Sequence, residues 1–118
     1  MSIPRGAFLR IVDNSGARLG QVIWTRFSAA KVGSVVKVAI KEAKGGKVAT
    51  GQMKKAVIVE TKAPTRRPNG AHFQFLRNGC VLLNEKGAPI GNRMRSLLAY
   101  EFAKPRWKRL SALGKRLY

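Results

Sequence analysis

Acidic residues are scarce in this chain: Asp13, Glu42, Glu60, Glu85 and Glu101 are the five in 118 residues, against 24 lysines and arginines. Each stands alone in sequence. Two-metal phosphoryl chemistry needs clustered carboxylates to hold its ions, and no adjacent pair supplies them. Histidine and cysteine are rarer still, with one of each, His72 and Cys80. A single cysteine excludes an internal disulfide, which suits a reducing compartment. A single histidine excludes a His-rich zinc site, and a mixed site is poorly supplied. A Cys80–His72 nucleophilic pair is formally available. A lone cysteine in an apolar strand is, however, expected to be a small core residue. His72 follows a turn and reads as an exposed or phosphate-facing side chain. Gly45-Gly46-Lys47 lacks the earlier glycine and the following Ser/Thr of a Walker loop. No apolar run approaches the roughly 18 residues of a membrane span. These absences point away from an enzyme, a metal or cofactor carrier, and a membrane protein.

What the chain does have is positive charge, a formal net +19. A small folded domain repels itself at such a charge unless a polyanion neutralises it. Phosphate is the usual partner, because each neutralised phosphate releases condensed counterions. Apolar residues make up 45% of the chain, so the charge sits on a globular protein and not on a disordered basic tail. The length fits a single domain over 1–118. Residues 1–10 are basic, free of acids and lead straight into strand-like sequence, which reads as no detachable presequence or secretory signal.

The first part reads as short strands cut by turns. Phe8 to Val12 ends at Asp13-Asn14-Ser15-Gly16, whose side chains bond back to their own backbone and favour a turn. Gln21 to Phe27 follows, with Val22 and Trp24 alternating against Ile23, Thr25 and Phe27. From Val35 to Lys41, Val36, Val38 and Ile40 face inward while Lys37 and Lys41 face out. A loop bounded by Lys44-Gly45-Gly46-Lys47 and Thr50-Gly51-Gln52 leads to Lys55–Thr61, with Ala56-Val57-Ile58-Val59 as its core. Pro68-Asn69-Gly70 makes a turn before a Phe73–Phe75 strand and then Cys80-Val81-Leu82-Leu83. Such spacing suits a small closed barrel or a sandwich. After Arg93 the period changes. Leu97, Leu98 and Phe102 are at helical spacing, Ser96 caps them and Pro105 ends them. Trp107, Leu110 and Leu113 share a face of a second short helix that Gly114 terminates. The reading is mainly β: a barrel over about 1–93 and a basic helical appendage over about 94–118.

The basic residues gather where loops are expected. Lys41, Lys44 and Lys47 flank one connection, Lys54 and Lys55 open a strand, and Lys62, Arg66 and Arg67 lead into the Pro68 turn. Loops at a barrel rim carry such charges to phosphates without disturbing the core, and the planar forks of Arg66 and Arg67 suit phosphate oxygens. Phe8, Trp24, Phe27, Phe73 and Phe75 offer a stacking platform for single strands. Their apolar strands make core packing the expected role. A basic, aromatic-poor surface fits structured RNA read by shape and backbone.

Specific residues then go beyond composition. Val12-Asp13-Asn14-Ser15-Gly16-Ala17-Arg18, Lys41-Glu42-Ala43, Ala56-Val57-Ile58-Val59 and Arg66-Arg67-Pro68-Asn69-Gly70 occur in order. Phe75, Asn78, Val81-Leu82-Leu83-Asn84 and Pro89-Ile90-Gly91-Asn92-Arg93 follow. With these motifs the chain resembles the universal large-subunit ribosomal protein L-fourteen family across residues 8–113. The resemblance implies a closed five-stranded β-barrel with short C-terminal α-helices, no catalytic activity and no cofactor. It implies large-subunit rRNA as partner at the intersubunit face, with Arg18 joining the basic residues above. It further implies neighbouring large-subunit proteins, a bridge to small-subunit rRNA, and a docking surface for a ribosomal silencing factor at Asn92, Arg93 and Lys108.

The chain also departs from that pattern. Ser34 and Gln52 stand where many relatives place an aspartate after glycine, Asn92 stands where threonine is usual, and the end from Arg109 to Arg116 is unusually basic. Lost acids and added bases suggest a divergent organellar member bound to ribosomes of the mitochondrial matrix, with the bacterial cytoplasm or the chloroplast as alternatives. Two other readings compete with a ribosomal component: a free OB-like RNA- or single-strand-binding translation factor, and a small basic enzyme acting on RNA. Stacking aromatics on an exposed sheet face favour the former, and converging acids or an accessible Cys80–His72 pair the latter.

Overall fold

A computed structural model of the chain describes residues 3–26, 29–62, 65–66, 72–73, 77–91 and 110. Its strands are β1 (Ile3–Pro4), β2 (Phe8–Ile11), β3 (Ala17–Thr25), β4 (Ala29–Ala30), β5 (Val35–Ala43), β6 (Met53–Glu60), β7 (Thr65–Arg66), β8 (His72–Phe73) and β9 (Gly79–Leu83). Five of them, in the order β2-β3-β5-β6-β9, form a closed barrel, as expected. Neighbours pair antiparallel except at the closing seam, where β2 runs parallel to β9 with Arg10 opposite Gly79 and Ile11 opposite Cys80. Closure removes the unpaired strand edges that an open sheet would present. Two short antiparallel pairs, β1 with β4 and β7 with β8, flank the barrel.

Side-chain alternation fills the interior. On β5, Val36, Val38 and Ile40 are buried while Lys37 and Lys41 are exposed, because successive Cβ atoms point to opposite faces. Leu9, Ile11, Val22, Ala56, Ile58, Cys80 and Leu82 belong to the same cluster. β6 and β9 are different: their alternate residues Val57, Val59, Val81 and Leu83 form a second cluster with Val12 and Leu110. β9 and the part of β6 from Ala56 onward are therefore buried on both faces, which explains their unbroken apolar runs. Leu110 is the described residue of the C-terminal part, and it lies 1% exposed on that outer cluster. The two expected C-terminal helices otherwise fall outside the described residues, as do the Pro68-Asn69-Gly70 turn and Phe75.

β3 departs from simple alternation. Val22 faces Val38 and Trp24 faces Lys37, so two steps on β3 oppose one on β5 and Ile23 is the extra residue of a bulge. The bulge inverts the pattern beyond it: Thr25 is buried and Trp24 is exposed.

The turn after β2 is locked by Asp13. Its Oδ1 accepts from the Ser15 amide at 3.1 Å and the Ser15 hydroxyl at 2.7 Å, and its Oδ2 accepts from the Leu82 amide at 3.1 Å. Gly16, at φ +103°, then passes so close to Gly45 that a Cβ would collide with the Gly45 carbonyl oxygen. Main-chain bonds from Lys44 N to Gly16 O and from Lys47 N to Ser15 O fasten the 44–52 loop there.

Asp13→Ala should leave buried backbone donors without partners, at a cost of about 3 kcal/mol. Urea denaturation of the purified chain, with its m-value preserved, is the measurement that checks it.

Candidate nucleic-acid interface

The direction of each strand decides which loops meet. The 13–16 turn, the 44–52 loop and the 84–91 segment share one rim, held together by the bonds just described and by Lys47 Nζ donating to Ile90 O at 3.1 Å. Arg18, Lys41, Lys44 and Lys47 are all exposed near this rim. Arg18 lies 3.7 Å from Glu42, an ion pair in which both side chains are about half exposed. An exposed pair of that kind contributes little to stability and leaves the guanidinium accessible.

Lys54 and Lys55 follow Met53 at the start of β6, where the 44–52 loop enters the strand. Lys54 is half-buried and Lys55 is exposed. Lys55 stands directly opposite Lys37 across the β5–β6 pair, and Lys86 lies beside them in a groove with Met53, Asn84 and Glu85. Lys62, at the far end of β6, is exposed and its amide donates to Asn78 Oδ1 at 2.9 Å. Arg66 belongs by its backbone to β7, which pairs with β8. Arg67, Asn92, Arg93 and Lys108 lie outside the described residues. The expected basic set is thus distributed around the barrel rather than gathered in one pocket, an arrangement suited to a polyanion that tracks over a surface.

Few acids are placed to neutralise it. Asp13 is buried within its turn, and Glu60 is buried with its Oε1 3.3 Å from Arg77 Nε. Among the described residues, Glu42 and Glu85 are the exposed carboxylates.

Cys80 lies inside the barrel, fully buried and unpaired. Burial pushes its thiol well up from the ordinary value, and the nearby Asp13 carboxylate adds to the shift. A thiol so held is not a nucleophile. His72 belongs to β8, in a different sheet.

The expectation that the aromatics are core residues fails at two positions. Phe8 is 55% exposed and Trp24 is 47% exposed. Phe8 begins β2 on its outer face, and the bulge at Ile23 turns Trp24 outward. Sequence reasoning also placed Lys37 on the outer face without recruiting it to a site. Its importance comes from register, which sets it between Trp24 and Lys55, and no local pattern announces register.

Comparison with known proteins shows the family. A family model described as ribosomal protein L14p/L23e matches residues 2–118. The chain is 37% identical to Large ribosomal subunit protein uL14 of Aquifex aeolicus, covering 95% of this chain and 96% of that protein. It is 36% identical to Large ribosomal subunit protein uL14m of Schizosaccharomyces pombe, covering 92% and 93% respectively. Large ribosomal subunit protein uL14 of Aquifex pyrophilus is also 36% identical, over 95% of this chain and 96% of that protein.

The burial of Cys80 has a direct chemical consequence. A thiol-specific reagent should fail to label the folded chain and should label it fully in denaturant, read by intact mass. Labelling at the same rate in both conditions contradicts the buried placement.

Proposed function

The chain belongs to the ribosomal protein L14p/L23e family and is a structural component of the large ribosomal subunit, not an enzyme; from that premise we propose that it holds large-subunit rRNA by backbone contact. The observation that carries this reading is the distribution of exposed lysines over both barrel rims with two exposed acids among the described residues. Arg18, Lys41, Lys44 and Lys47 form one set of phosphate contacts, Lys54 and Lys55 a second, and Lys62, Arg66 and Arg67 a third. Side chains spaced over a rigid barrel fix orientation on a folded RNA without reading its bases.

The same reading places the protein at the intersubunit face, touching neighbouring large-subunit proteins and contributing to a bridge with small-subunit rRNA. Asn92, Arg93 and Lys108 form a docking surface for a silencing factor. Packing of Leu110 on the outer face of β6 and β9 supports that surface, because it ties the C-terminal segment to the barrel. A mitochondrial location is supported by the mitochondrial relative of S. pombe and by the lost acids at Ser34 and Gln52. The bacterial relatives keep a bacterial cytoplasm in play, and a chloroplast is the remaining alternative. Exposed aromatics are what a free single-strand-binding factor would show. Membership of the family over nearly the whole chain favours the ribosomal component instead, and leaves those aromatics in need of their own explanation.

Affinity for large-subunit rRNA should fall steeply with salt, and Lys41→Gln or Lys44→Gln should each lower the log–log slope by about one. Filter binding across a salt series checks this, and an affinity indifferent to salt overturns it.

Arg93→Glu together with Lys108→Glu should weaken silencing-factor binding on the order of tenfold or more, through lost charge complementarity. Incorporation into large subunits, followed by co-sedimentation, should stay near normal. Normal factor binding with failed incorporation would assign the patch to rRNA.

A further inference from the structure

The three large apolar side chains that stand exposed among the described residues are Phe8, Trp24 and Met53. Register puts them on one outer face. Phe8 pairs with Gln21, Gln21 with Ala39 and Ala39 with Met53, which makes one row across four strands. Trp24 pairs with Lys37 and Lys37 with Lys55, which makes the next row, two residues along β5 and β6. Strand residues two apart share a face, so both rows look outward together.

The Trp24 row has two features that call for an anion with a flat face. Lys37 and Lys55 are directly opposite each other across an antiparallel pair, an arrangement in which like charges destabilise the sheet. A bound anion relieves that repulsion. Trp24 and these two lysines line an open groove of about 750 Å³ that also takes in Arg26 and Ser34; among the described residues no acid lines it, and Glu85 lies in the adjoining groove that the two lysines share with Lys86. The indole beside them presents an exposed π-surface at a point where the bulge has overridden the strand's own alternation. An acidic peptide supplies charge without a flat ring at each repeat, whereas a nucleotide supplies a phosphate and a base in one unit.

We infer that Trp24, Lys37 and Lys55 form a stacking site for an unpaired RNA nucleotide, the base lying on the Trp24 ring and its phosphates against the two lysines. This rests on the rRNA-binding reading above and adds a mode to it, since backbone contact alone needs no aromatic. Base–aromatic stacking tolerates any base, because every base has a π-face. The site therefore selects for an unpaired nucleotide over a duplex and does not select for sequence.

The test uses the full chain with two probes, a short single-stranded oligoadenylate and an RNA duplex of equal charge. With Trp107→Phe in place, Trp24 is the only tryptophan, and its fluorescence should be quenched by the oligoadenylate and not by the duplex. In the chain that keeps Trp107, Trp24→Ala should lower oligoadenylate affinity about tenfold, Trp24→Phe should retain most of it, and duplex affinity should not change. Lys37→Gln with Lys55→Gln should weaken both probes. Unchanged oligoadenylate affinity in Trp24→Ala, with duplex binding intact, overturns the stacking site and leaves the rRNA reading standing. Failure of the unaltered chain to bind either probe overturns the rRNA reading itself. A photoreactive benzophenone side chain in place of Trp24, carried into assembled large subunits, should cross-link to RNA. Cross-linking to protein instead overturns the inference in favour of a protein occupant.

Discussion

The barrel closes through its one parallel seam, and the rest of the structure depends on that closure. β2 and β9 share two register pairs, Arg10 with Gly79 and Ile11 with Cys80, and parallel pairing is slightly weaker per residue than antiparallel. The seam is extended at both ends by groups outside the two strands' shared register. Before it, the Arg10 amide donates to Asn78 O at 3.1 Å. After it, the Val12 amide donates to Cys80 O at 3.0 Å, and the Leu82 amide then finds the Asp13 carboxylate. A side chain thus takes the ladder position that β2 vacates as it turns away. The same carboxylate shapes the turn that receives the 44–52 loop, so barrel closure and the geometry of one basic rim have a common origin.

Much of this was legible because strand alternation maps directly onto inside and outside. Val36, Val38 and Ile40 against Lys37 and Lys41 is such a pattern, and the structure follows it. Ala56-Val57-Ile58-Val59 and Cys80-Val81-Leu82-Leu83 were recognisable as strands. Their second, outer cluster was not, because a continuous apolar run says that both faces are buried without saying what covers them. The aromatics misled for a related reason. Phe8 and Trp24 sit in apolar stretches, and Trp24 was expected to follow the phase of Val22. The bulge at Ile23 resets that phase through backbone pairing with β5, which depends on residues some fifteen positions away. The basic set was legible as residue types in loops, but its division between rims needed strand directions.

The acids explain why so much positive charge coexists with an ordered fold. Asp13 and Glu60 are buried where they complete hydrogen bonding, Glu60 with Arg77 and Asp13 with amides and a hydroxyl. Acids used in this way stabilise local geometry and contribute little to neutralising the surface. Most of the described lysines are carried on rims and outward strand positions, where water screens them. Fold and charge are therefore nearly independent properties of the chain. A surface of this kind is free to follow the shape of an RNA while the interior stays fixed.

The two outer faces of the barrel meet different fates, and strand composition decides which. On the later part of β6 and on β9 the outward positions are Val57, Val59, Val81 and Leu83, and the chain covers them itself with Leu110. On β3 and β5 the outward positions are Gln21, Trp24, Lys37, Ala39 and Lys41, and among the described residues nothing covers the Trp24 and Lys37 pair beyond their own neighbours. An apolar outer face recruits a segment of its own chain, because burying it removes hydrocarbon from water at little polar cost. A face that mixes lysine with indole has no such occupant among the described residues, and an apolar cover would strand the ammonium groups without solvent or counter-charge. A partner that brings both negative charge and a flat apolar surface covers that face without such a cost, and an unpaired nucleotide has both.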